Sequence, residues 1–147
     1  MTMEKLDGQE DGAVEVEEVE PSYKFAPEIL EEMGRSIPML MGARLCDAAL
    51  AKLKEPNAWQ TMKYKELRKL FKDNCADQDV YLSPQAPLLE TVVRMLLAAK
   101  HDTLTLGDIH TDVSDLWITS PWPRHIAIES LQRVLDKGTA YGVVRAD

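Results

Sequence analysis

The sequence has few of the residues that build metal sites, disulfides or phosphate-binding loops. Only two cysteines and three histidines occur among 147 residues, and Cys46 and Cys75 belong to no C-x-x-C pair or cysteine/histidine cluster. This spacing argues against structural zinc. We expect both cysteines to remain thiols in a reducing cytoplasm, or in the nucleus of a eukaryote, and a disulfide between them is the less favoured alternative. Seven glycines leave little material for a phosphate-binding loop, and no dinucleotide fingerprint is present.

Signals for catalysis and for membranes are lacking as well. No G-x-S-x-G motif occurs, and His101, His110 and His125 share no metal-ligand spacing with the cysteines. No segment approaches eighteen consecutive apolar residues, and the N-terminal residues lack the basic start and apolar core of a secretory signal. We therefore expect no enzymatic activity, no catalytic residues, no metal or cofactor, and no membrane partner.

Negative charge is abundant but unevenly placed. The net charge of the chain is −8, and residues 1–20 carry eight acids and one lysine, which leaves about −1 for the remainder. Acidic segments with few large apolar groups cannot bury enough surface to offset chain entropy. The sequence therefore predicts a disordered acidic arm over residues 1–22 and a single domain over 23–147. Because the acidity lies in the arm, it does not exclude binding of nucleic acid by the domain.

Apolar spacing in the rest of the chain is mostly helical. "APLLETVVRMLLAAKHD" is apolar around more than half of its circumference, which is typical of a central helix. Proline, glycine and apolar periodicity also predict helices at 27–33, 36–56 and 107–117, and a helical stretch over 57–74 for which a start after Met62 is the alternative. "TLTL" is suited to a short strand, and Tyr141–Val144 is suited to a C-terminal strand.

From Leu88 onward the chain resembles a winged helix-turn-helix domain. The likeness rests on "LTLGDI" and on "IESLQRVLDKGTAYGVV", in which an apolar helical stripe is followed by Gly138 and an apolar strand. The resemblance implies a mainly α fold: a helical N-terminal extension and a winged-helix-like C-terminal half with a short β-hairpin or two-stranded ladder. Because Asp147 follows too soon for a two-stranded wing, we expect Leu104–Leu106 to pair antiparallel with Tyr141–Val144.

A weak internal repeat suggests an alternative domain organisation. "LLETVVRML" at 88–96 aligns with "AIESLQRVL" at 127–135, and each segment follows a Ser-Pro element. A tandem of two degenerate winged helices, over 40–106 and 88–147, is therefore the alternative to one domain. Met39 and Met41 suggest either core positions or the face of a homodimer.

Two groups of residues are candidates for contacting a partner. "SPWPRH" predicts that Ser120 caps a helix beginning at Pro121 or Pro123, with nearby polar and aromatic side chains outside the apolar stripe. The second group is a basic helix, which could hold phosphates or the acidic arm. The candidate contacts are Trp122, Arg124, His125 and Arg133 in the first group, and Lys63, Lys65, Arg68, Lys69 and Lys72 in the second.

These patterns predict a non-enzymatic, nucleic-acid-associated regulator or accessory factor. Arginine and glutamine can read base edges, and lysines neutralise phosphates. The alternative is a protein–protein interaction module or a subunit of a larger complex. In that case the winged-helix surface binds a partner through Trp122 and its neighbours, since tryptophan and arginine are enriched at protein contacts.

Overall fold

A computed structural model describes residues 20–76 and 81–146, so most of the predicted acidic arm lies outside the described residues. The first half contains strand β1 (Ser22–Phe25) and helices α1 (Pro27–Glu32), α2 (Ile37–Gly42), α3 (Asp47–Leu50) and α4 (Tyr64–Asn74), with a 3-10 turn at Ala58–Thr61. The second half contains α5 (Leu88–Ala98), β2 (Leu104–Thr105), α6 (Leu106–Trp117), α7 (Ile128–Leu135), a 3-10 turn at Gly138–Tyr141 and β3 (Val143–Arg145). The fold is mainly helical.

The three strands form one small antiparallel sheet with β1 in the middle. Tyr23 pairs with Leu104 of β2 on one side and with Arg145 of β3 on the other. The predicted pairing of Leu104–Leu106 with Tyr141–Val144 is therefore wrong. The strand that pairs with β3 is β1, which begins at Ser22, the last residue of the predicted acidic arm. Tyr23 and Phe25 anchor it, because both are buried on the core side.

The helix predicted over 36–56 is interrupted between α2 and α3. The Tyr81 hydroxyl donates to the Arg44 carbonyl at 2.8 Å, so a tertiary contact takes an acceptor that a continuous helix would use. Cys46 is extended and caps α3, its sulfur accepting from the Ala49 N–H at 3.4 Å. Gly42 is required at the end of α2, because a Cβ there would overlap the Trp59 ring.

The entrance to the last helix also differs from the prediction. Helix α7 begins at Ile128, and no side chain caps it, so the expected cap at Ser120 is wrong. Ser120 instead accepts from the Trp122 N–H at 3.1 Å within a local turn. A residue that precedes proline disfavours the α conformation. Ser120 and Trp122 each precede a proline. The segment from Ser120 to Ala127 is consequently a loop.

Helix α5 is central, as its composition predicts. Seven of its eleven residues are buried, and it packs against α4, α6 and β1. The buried residues form one cluster that extends from Tyr23 to Val143. Met41 belongs to this cluster, whereas Met39 is exposed. Within the described residues, no helix is long and apolar enough to cross a bilayer.

Candidate functional site

A cleft of about 870 Å³ lies between β1, α4 and the turn before β2. Five of its lining residues are basic and three are acidic, so the lining carries a net positive charge in a chain that is acidic as a whole. We call it the basic cleft. Its charged lining residues are Lys24, Lys65, Arg68, Lys69, Lys72, Glu28, Asp73 and Asp102.

Helix α4 supplies three lysines to the basic cleft. Lys65, Lys69 and Lys72 are spaced by four and three residues, which places them along one side of the helix. Leu67 and Phe71 are fully buried on the other side, and this burial fixes which side of the helix faces the cleft. The amphipathic pattern of the sequence is therefore what aligns the three charges.

The lysines of the cleft differ in how closely they are paired with carboxylates. Lys69 lies 2.9 Å from an Asp73 oxygen, and this hydrogen bond raises the pKa of Lys69, so the lysine is charged at neutral pH. Lys72 lies 3.6 Å from an Asp102 oxygen, a longer and weaker contact. Lys24 and Lys65 have no ion pair within the described ranges. Within that part of the chain, no carboxylate pairs with either ammonium group.

Arg68 behaves differently from the lysines around it. It is only 7% exposed, and its Nε donates to the Leu97 carbonyl at 2.9 Å. Its Nη2 donates to the carbonyls of Ala99 and His101, each at 3.2 Å. These acceptors lie at the C-terminal end of α5, where cations and donors are stabilising. Arg68 therefore lines the cleft, but its guanidinium is already hydrogen-bonded within its own chain.

An aromatic pair forms part of the wall of the cleft. The rings of Phe25 and Tyr64 are stacked, with centroids 6.2 Å apart and an interplanar angle of 18°. The Tyr64 hydroxyl accepts from Arg68 Nη1 at 3.2 Å. Phe25 is buried, so only Tyr64 of this pair presents partly exposed surface to the cleft. The lysines consequently stand beside an apolar wall as well as beside one another.

The predicted basic helix and the basic cleft share only some of their residues. Lys24 was missed, because it lies far from the lysine run and reaches the cleft only through the position of β1. Lys63 was included, yet it precedes α4 and does not line the cleft. Its side chain is exposed, and its backbone N–H donates to Glu66 Oε1 at 2.9 Å.

The candidates near the last helix lie in a second place, the loop between α6 and α7, which we call the Trp122 loop (residues 118–127). Trp122 is 81% exposed and Ile118 is 73% exposed. His125 is exposed, as is Arg133, which lies on α7 and donates to Ser130 Oγ at 3.1 Å. The structure does not bring these candidates to the basic cleft, because none of them lines it.

Arg124 fixes the conformation of the Trp122 loop. Its guanidinium lies 3.9 Å from the centroid of the Trp117 ring, a cation–π contact. Its Nη2 also donates to the carbonyls of Pro84 and Ala86, each at 3.0 Å. At the far end of the loop, His110 Nε2 lies 2.8 Å from the carbonyl oxygen of Ile126. The loop is therefore tied down at two points, with Trp122 pointing away from the core.

Comparisons with models of known protein families, with curated proteins and with solved structures found no match to this chain. The described part of the chain contains no group of three or more histidine, cysteine, aspartate or glutamate residues that could hold a metal ion. The chemistry available at the basic cleft is therefore that of its fixed positive charges, its carboxylates and its aromatic wall.

Proposed function

We propose that this chain is a non-enzymatic, nucleic-acid-binding regulator or accessory factor that contacts phosphates through the basic cleft. The observation that supports the proposal is the convergence of Lys24, Lys65, Lys69 and Lys72 on one cleft of about 870 Å³. Lysines that neutralise phosphates release counterions, and this release is the main source of sequence-independent affinity for nucleic acid.

A cleft binds a flexible or single-stranded polyanion better than a flat protein surface does. Backbone phosphates can meet the lysines of α4, while a base can stack on the exposed part of Tyr64. Charged grooves flanked by aromatic rings are the usual way in which single strands are bound without sequence preference. The carboxylates of Asp73 and Asp102 limit the affinity, since binding must compete with their contacts to Lys69 and Lys72.

The order of elements in the second half supports the winged-helix resemblance as part of this proposal. Helix α5 is followed by β2, α6, α7 and β3, and β1 occupies the position between the two strands. We accordingly propose a winged-helix-like C-terminal half that borrows its middle strand from the N-terminal side. The helices α1 to α4 form the extension, and α4 presents the lysines.

Two triple variants with equal changes in charge test the binding proposal. Lys65, Lys69 and Lys72 are replaced by glutamine in the cleft variant, and the exposed Lys52, Lys54 and Lys137 are replaced in the control variant. Fluorescence anisotropy then measures binding of labelled single-stranded RNA, single-stranded DNA and duplex DNA at low salt. We expect the cleft variant to bind at least tenfold more weakly than the wild type and the control variant to bind nearly as well.

Two results would contradict the proposal. The first is the absence of binding by the wild-type chain at low salt. The second is an equal loss of affinity in both variants, because it would show that only total charge matters and that the cleft has no special role. Circular dichroism of both variants ensures that a loss of binding does not reflect unfolding.

The Trp122 loop favours a second function, contact with a partner protein. A loop that is tied down at two points and exposes tryptophan and isoleucine provides the large apolar area that protein contacts use. Immobilised wild-type chain should retain a specific protein that the Trp122→Ala variant loses. Tyr141→Ala, which removes an exposed aromatic ring at another site, should retain it. Equal retention by all three chains would contradict this second proposal.

A further inference from the structure

The two cysteines, 29 residues apart in sequence, meet between the start of α3 and the end of α4. The Cys46 N–H donates to Cys75 Sγ at 3.4 Å. The Cys46 thiol donates in turn to the carbonyl of Asn74, the residue before Cys75, at 3.5 Å. Each thiol therefore lies against the backbone of the other cysteine's segment, and the fold holds the pair in place.

We propose that Cys46 and Cys75 are a dithiol site that a small-molecule disulfide converts reversibly into an intramolecular disulfide bond. The inference does not depend on the proposed nucleic-acid function. Reduced thiols are the expected state in a reducing compartment, so oxidation occurs only when the supply of small disulfide rises. The sequence gives no sign of the pair, because no motif links the two positions.

The reaction proceeds by two thiol–disulfide exchanges. The thiolate of the half-buried Cys46 attacks one sulfur of the small disulfide, which forms a mixed disulfide and releases the first small thiolate. The thiolate of Cys75 then attacks Cys46 Sγ, forms the intramolecular bond and releases the second small thiolate. Two protein thiols lose two electrons and two protons. The small disulfide takes up the electrons, and the released thiolates take up the protons.

Burial determines which cysteine reacts first and how readily the disulfide then closes. Cys75 is 1% exposed, so a small disulfide reaches Cys46 first. Burial and then the hydrogen bond with the Cys46 thiol raise the pKa of Cys75 to about 12, while the hydrogen bond from the Cys46 N–H and the nearby Arg94 guanidinium lower it only in part. Tyr81, a titratable neighbour among the described residues, stays neutral because burial raises its own pKa as well. Since burial alone already raises the pKa of Cys75, alkaline pH favours the closing step.

The disulfide would join two segments that are otherwise held by packing. It would link Cys46, the residue before α3, to Cys75, the residue after α4, and α4 is the helix that carries the cleft lysines. A cross-link restricts the unfolded chain more as the closed loop lengthens. For a loop of this size we expect the oxidised protein to melt about 10 °C above the reduced protein.

The test treats the full chain with oxidised glutathione at mildly alkaline pH and records intact mass over time. The wild type should lose the mass of two hydrogen atoms and carry no glutathione, and dithiothreitol should reverse the change. Cys75→Ser should stop at a stable glutathione adduct on Cys46. Cys46→Ser should react at least tenfold more slowly, because only the buried thiol remains.

Three results would overturn the proposal, and each can be read from the wild type alone. The first is a persistent glutathione adduct on Cys46 with no closure to the intramolecular bond. The second is oxidation only to linked dimers, seen on a non-reducing gel. The third is inertness of both thiols in the native chain when both react in urea.

Discussion

The basic cleft and the Trp122 loop differ in chemistry, one charged and one apolar, but each is built around one arginine that binds within its own chain. In each region one arginine is bound to carbonyl oxygens of its own chain, Arg68 at the end of α5 and Arg124 at Pro84 and Ala86. The side chains next to each arginine remain exposed, lysines in the cleft and Trp122 in the loop. The arginines therefore build these two surfaces, and their neighbours are the groups available to a partner.

The chemistry of the two cations explains this division. A guanidinium presents several donors in a planar fork, so one arginine can satisfy two or three carbonyls or lie over an aromatic ring. An ammonium is a compact, strongly hydrated charge on a flexible stem, and it keeps its water unless an anion replaces it. Lysine and arginine count equally in a sequence charge sum, but they do not contribute equally to an accessible surface.

The largest expected loss of stability comes from replacing Arg68. Arg68→Ala removes donors from the carbonyls of Leu97, Ala99 and His101 and leaves them unpaired in a partly buried setting. We expect a loss of about 3 kcal/mol in the free energy of unfolding, measured by urea denaturation. Lys65→Ala, on the same helix, is the matched control and should leave stability nearly unchanged. Equal stability of the two variants would contradict the structural role of Arg68.

Glu90 provides a second test of the stabilising role of arginines, because two further arginines bind it. It accepts from Arg44 at 2.9 and 2.7 Å and from Arg94 at 2.8 Å. Burial opposes its ionisation, yet the hydrogen bonds from both arginines outweigh burial and hold the pKa of Glu90 below its usual value. Because the folded-state pKa is lowered, this stabilisation is full above the unfolded pKa of about 4.3 and is lost as the pH falls through the folded pKa.

Glu90→Gln should therefore cost about 2 kcal/mol at neutral pH, and the cost should shrink on acidification. Chemical denaturation of both chains at neutral and at acidic pH measures the difference. A cost that is the same at both pH values would show that Glu90 contributes through packing and not through its charge.

The smallest expected effects are in the Trp122 loop. Arg124→Ala removes a cation–π contact and two hydrogen bonds at a partly exposed site, and we expect a loss of about 1 kcal/mol in the free energy of unfolding. Trp122→Ala should change stability by less than about 0.5 kcal/mol, since the ring is 81% exposed. Thermal denaturation of both variants compares them. A larger loss for Trp122→Ala than for Arg124→Ala would reverse the roles assigned to the two residues.

Local patterns predicted the helices far better than they predicted the sheet. The spacing of apolar residues was sufficient for α5 and α4, because both helices bury a continuous apolar face. The break near Arg44 depends on the Tyr81 hydroxyl, which comes from a distant part of the chain. The middle strand could not be predicted as such, since its two partners lie about 80 and 120 residues further along the sequence.

For the candidate site, too, the sequence predicts one helix but not the contacts between elements. The lysine run of α4 was enough to predict a basic helix, and the structure places three of those lysines in the basic cleft. Lys24 joins them only because β1 packs beside α4, and Arg68 turns inward only because α5 ends next to it. Spacing along one helix can be read from the sequence, whereas contacts between elements depend on tertiary packing.

The salt dependence of nucleic-acid binding tests the central claim most directly. The logarithm of the association constant is plotted against the logarithm of salt concentration for the wild type, the variant that lacks Lys65, Lys69 and Lys72, and the control variant that lacks Lys52, Lys54 and Lys137. If the cleft holds phosphates, the slope of the cleft variant should be smaller than that of the wild type by about two, and the control slope should not change. Equal slopes for all three chains would contradict the assignment of the basic cleft as the binding surface.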